Sequence, residues 1–115
     1  MEDEFIPGRD EDRADLAAAL VGFALGLKTH QILTFERGSP VHARARHIAM
    51  YIAYAGLGMS LSRVAIAFGR DRSTVARACR LVEDSRDDPD FDTWIDQLCL
   101  GLRSVALLAP GEAVA

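Results

Sequence analysis

Apolar residues recur along this chain at spacings of three and four, the period at which side chains share one face of an α-helix. Leu16, Leu20, Phe23 and Leu27 mark a first helix that begins near Glu11. Gly22 and Gly26 interrupt it, each at about 1 kcal/mol relative to alanine, and would allow a close helix crossing. A short helical turn over 30–35 follows, and Gly38, Ser39 and Pro40 break the chain. Ala45, Ile48, Ala49, Ile52 and Ala55 then form the stripe of a second long helix over about 41–54, ended by Gly56 and Gly58.

The punctuation sharpens further along. Ser60 is placed to cap a short helix over 61–68 that turns Leu61, Val64, Ala65 and Phe68 inward, with Gly69 as its stop. Asp71 or Ser73 caps the next helix, whose apolar positions are Val75, Ala78, Cys79 and Val82. Asp88 and Pro89 are the clearest helix start, since aspartate caps, proline suits the first helical position, and Asp90 and Asp92 complement the helix dipole. Phe91, Trp94, Ile95, Leu98 and Leu102 supply the last stripe, closed by Ala109, Pro110 and Gly111. Without any alternating strand pattern, the expected fold is all-α: a compact multi-helix domain over 11–108, between an acidic flexible tail over 1–10 and a second tail over 109–115.

At 115 residues the chain suits one core. No apolar run is long enough to span a bilayer, so the expected setting is cytoplasmic, with no membrane partner. Cys79 and Cys99 fall on apolar stripes without CxxC spacing and read as core residues. His30, His42 and His47 form no metal-ligand or acid–base pattern, and neither an enzyme activity, a metal nor a cofactor is expected. A lone histidine near basic residues reads as a surface or backbone contact, not as a general base.

Charge changes the picture more than composition does. The net charge is −4, yet residues 37–80 carry eight arginines against the single acid Asp71, while acids predominate on both sides. Such a segment is suited to phosphate. The pair of helices between Ser60 and Asp84 is a helix-turn-helix pattern, in which one face of the second helix is left free to enter a major groove. That face carries Arg72, Ser73, Ala76, Arg77 and Arg80. Arginine can donate twice to guanine, aspartate can accept from cytosine, and serine or threonine can touch thymine.

The runs Arg46-His47-Ile48-Ala49-Met50, Ser60-Leu61, Ala67-Phe68-Gly69-Arg70-Asp71-Arg72-Ser73-Thr74-Val75 and Ala78-Cys79-Arg80 resemble the DNA-binding C-terminal domain of the bacterial replication initiator DnaA. The resemblance spans roughly Asp15 to Leu102. It implies that Asp71, Arg72, Ser73 and Thr74, with Arg77, read bases in the major groove of double-stranded DNA. It makes Arg44 the best match for an arginine that enters the minor groove. Arg37, Arg46 and Arg70 become phosphate or groove contacts, and Ser60 with Arg63 backbone contacts near the turn. Arg72 stands where the family signature has histidine, so a different target sequence is expected. With no GxxxxGK[ST] run, ATP binding is not expected. What the resemblance implies is a stand-alone, nucleoid-associated DNA reader: a transcriptional regulator, with gene-transfer-agent genes as one target class, or a modulator of replication initiation. RNA polymerase or a replication-control protein is the corresponding partner, with self-association on DNA as a further expectation.

Overall fold

The structure, a computed structural model, describes residues 8–34 and 39–110. These fold into six helices: α1 (Asp10–Leu25), α2 (Thr29–Leu33), α3 (Pro40–Leu57), α4 (Leu61–Phe68), α5 (Arg72–Ser85) and α6 (Pro89–Ala106). No strand occurs among the described residues, and no helix is long and apolar enough to cross a membrane. Residues 1–7 and 111–115 of the expected tails lie outside the described part.

Helix α3 is the axis of the fold. Ser39 caps it by accepting from the His42 amide, Pro40 occupies its first turn, and Gly58 stops it in the left-handed region at φ 71°. From Ile48 to Ala53 every residue is buried. That all-round burial follows from its position, because α1, α2, α4, α5 and α6 all pack against it. The helix runs three residues beyond the expected end. Gly56 lies inside it, and a Cβ there would stand 3.2 Å from the Cα and Cβ of Cys99 on α6. Ala55, expected on the apolar stripe, is exposed.

Helix α1 departs from its expected stripe. Its buried residues are Ala14, Ala17, Ala18, Val21 and Gly22, whereas Leu16 and Leu20 only flank the core and Phe23 is 88% exposed. Small side chains let two helix backbones approach closely, so the contact face here is marked by alanine instead of leucine. At its end, a Cβ on Gly22 would stand 2.6 Å from the Leu27 carbonyl oxygen. Gly22→Ala is therefore expected to destabilise the protein by about 1–2 kcal/mol, because overpacking against backbone outweighs the gain in helix propensity. Urea unfolding checks the sign; a stabilised variant would mean that the turn after α1 relaxes around the methyl group.

The far end of the molecule is held by charge. Arg86, just past α5, donates to Asp92 and Asp96 on α6 and, from Nη1 over 3.0 Å, to the Tyr51 hydroxyl on α3. Tyr51 in turn donates to Glu83 of α5 at 2.8 Å. This clasp joins three helices at the C-terminal end of α5. Asp88 accepts from the Asp90 amide and Pro89 sits in the first turn, as the sequence predicts for α6. Cys79 is buried and Cys99 half-buried, both as free thiols. Burial pushes the Cys79 thiol up to about 11, which keeps it an uncharged packing group at neutral pH.

Candidate nucleic-acid interface

The turn between α4 and α5 is built by three local rules. Ser60 Oγ accepts from the Arg63 amide and starts α4. Gly69 adopts φ 67°, a left-handed conformation that glycine takes without strain, and its amide returns to Ile66. Arg70 follows, its amide bound to the Ala65 carbonyl at 2.9 Å, and extended Asp71 then admits the chain to α5. The Val75 amide bonds to the Asp71 carbonyl, but the Asp71 side chain makes no capping hydrogen bond. Its carboxylate therefore remains at the surface.

Helix α5 is sharply two-sided. Val75, Ala78, Cys79 and Val82 are buried, as the apolar spacing predicts. Asp71, Arg72, Ser73 and Thr74 are exposed in succession across the first turn, and Arg77 and Arg80 continue that exposed surface one and two turns later. The structure thus brings together five of the candidate residues, Asp71 to Thr74 and Arg77, with Arg80 beside them.

The start of α3 joins this surface through His47, which is not among the candidate DNA-binding residues. His47 is half-buried, and its basicity is lowered first by that burial and then by the positive charges of Arg46, Arg44 and Arg77. Arginines from both α3 and α5 thus act electrostatically on one imidazole. The signal in the sequence is slight: His47 lies one helical turn after Arg44, but only the packing of α5 on α3 brings Arg77 to it. Arg44 itself is exposed, with its guanidinium 5.0 Å from the centre of the Phe91 ring. Such a stack orients the charge at small cost.

The remaining basic candidates are placed differently. Arg63, expected at the phosphate backbone, forms a fork with Asp10 of α1 at 2.7 and 3.0 Å, and Asp10 also binds Arg13 at 2.8 Å. Those contacts hold the Asp10 carboxyl below its usual range. Arg46 and Arg70, expected to grip phosphate or groove, donate instead to the carbonyls of Ile32 and Thr34. The cause is the same in each case: an acceptor on a neighbouring element lies within reach of the guanidinium fork. Ser60 is engaged as the α4 cap. Arg37 lies outside the described residues.

Comparison with known proteins bears on the fold and the family. A sequence profile of the bacterial DnaA protein helix-turn-helix matches residues 18–82, more than half of the chain, from within α1 through most of α5. The crystal structure of a DNA replication initiation factor is similar over 92% of the chain, with a TM-score of 0.65 and 26% identity. The chain spans 30% of the length of that protein. No curated protein matches the sequence.

Proposed function

We propose, from the premise that this chain belongs to the bacterial DnaA helix-turn-helix family, that it binds double-stranded DNA and reads its sequence through the first turn of α5. One observation carries this reading: four consecutive polar residues, Asp71 to Thr74, stand exposed at the start of a helix that buries Val75, Ala78, Cys79 and Val82 on another side. Arg72 donates to a guanine edge, Asp71 accepts from a cytosine amine, and Ser73 and Thr74 reach thymine or phosphate. Arg77, Arg80 and Arg44 supply positive charge along the duplex, Arg44 from the start of α3.

Transcriptional regulation is the favoured role, because the positions that would discriminate bases are polar and uncovered; a modulator that works by competing for initiator sites needs the same surface. Action through RNA polymerase or a replication-control protein is supported by Leu107 and Leu108, which stand 39% and 80% exposed beyond α6.

Selection of bound duplexes from a random pool, followed by titration at several salt concentrations, tests the reading. A selected duplex is expected to bind more tightly than random DNA by about a thousandfold or more. Its affinity should fall with salt by a slope of about 0.9 for each phosphate neutralised. Equal affinity for selected and random duplexes would refute sequence reading, and salt-insensitive binding would refute a phosphate interface. Mapping of bound DNA in cells separates the roles: promoter sites support regulation, origin sites support replication control.

A further inference from the structure

Two arginines in the middle of the basic segment point into the protein. Arg46, on α3, donates through Nε to the Ile32 carbonyl at 2.8 Å. Its Nη2 is enclosed, with no hydrogen-bond partner among the described residues. Arg70, in the turn between α4 and α5, donates through Nη2 to the Thr34 carbonyl. Both acceptors belong to the last turn of α2 and the residue that ends it, where a helix leaves its carbonyls without internal partners. Burial, and after it the charge of Arg70, lowers the proton affinity of Arg46. The two guanidinium groups thus occupy one locality, held there by backbone oxygen despite their repulsion.

This arrangement bridges three parts of the chain. Arg46 comes from the central helix, Arg70 immediately precedes the four exposed residues of the α5 start, and both converge on the end of α2. Ile32 is itself fully buried, so the end of α2 is fixed to the core and the carbonyls are firm anchors. An arginine bonded inward with an enclosed Nη2 has little of its fork left for an external phosphate.

We infer that Arg46 and Arg70 are positioning residues for DNA recognition: they act through the carbonyls of Ile32 and Thr34, locking the end of α2 against the turn that aims Asp71 to Thr74. The inference rests on the DNA-binding reading and assigns these two arginines a place in it that their charge alone does not. A lysine cannot replace either, because an ammonium group lacks the planar spread of donors that spans the separation between elements.

Arg46→Met and Arg46→Lys test the assignment, with Arg70→Lys as the parallel variant should either perturb folding, and with circular dichroism as the check. Each variant is expected to lose about tenfold or more in affinity for a selected duplex. Arg46→Met should keep the wild-type salt slope, Arg46→Lys should fail to restore affinity, and amide exchange over 29–34 should quicken in both. A phosphate contact behaves in the opposite way: Arg46→Met would lower the slope by about 0.9, and Arg46→Lys would recover most of the binding. Either of those results, or unchanged exchange over 29–34, overturns the inference. If the wild-type protein binds no duplex, the DNA-binding reading fails on its own, and the exchange measurement still decides whether the two arginines anchor α2.

Discussion

Replacing Ile52 with alanine is expected to lower the stability of the folded protein by about 2–5 kcal/mol, the loss typical of emptying a large aliphatic site in a packed core. Ile52 is wholly buried near the middle of α3, the helix against which all the others pack. The size of the effect depends on how far neighbours can close the void. The core as a whole is closely filled, since Met50, Val75, Val82, Ile95 and Leu102 are also less than 2% exposed. For a domain near 100 residues each kcal/mol corresponds to roughly 4–8 °C, so the thermal midpoint should fall by about 8–40 °C. Thermal unfolding followed by circular dichroism measures it. A fall below about 5 °C would show that the helices around α3 can collapse onto a smaller side chain, and that α3 is a weaker organiser than its burial implies.

Arg72→Ala should produce the largest change in recognition with almost none in stability. The side chain is exposed at the first position of α5, and a surface substitution away from a cap or core typically stays within about ±0.5 kcal/mol. A bidentate arginine–guanine contact contributes about 1–3 kcal/mol of discrimination. The preference for a selected duplex over random DNA should therefore shrink by roughly 5- to 150-fold, while the melting temperature barely moves. Competition titrations of the two DNAs against the same protein read that ratio directly. If both affinities fall together and the ratio holds, Arg72 is a phosphate contact and base discrimination resides elsewhere on α5.

How far the sequence reveals this molecule depends on what kind of signal each feature leaves. The boundaries of α4 are legible to the residue, because Ser60 and Gly69 do local jobs that other residues do poorly. The start of α6 is legible for the same reason, through Asp88 and Pro89. The buried side of α5 follows from spacing alone. Helix α1 is harder to read, because the alanines that make its contact carry a weak hydrophobic signal while the conspicuous Phe23 faces outward. Charge is the least legible of all. Composition locates eight arginines in one segment, but only tertiary neighbours decide that Arg63 meets Asp10, that Arg46 meets Ile32, and that Arg44 lies over Phe91.

The two ends of α5 are restrained unequally. At its tail, Arg86 fastens the chain to Tyr51, Asp92 and Asp96; at its head, Asp71 offers no side-chain cap, a contribution that is typically about 1 kcal/mol when present. Mechanically α5 is a beam clamped at Arg86 and carried at its other end on the turn that Arg70 holds. A small tilt about the clamp moves the reading side chains, at the far end of the beam, by the largest amount. An incoming phosphate that accepts from the uncapped amides would stiffen that end as it binds. Tolerance for more than one target sequence could then be adjusted at the clamp, far from any base, by substitutions that loosen or tighten its grip.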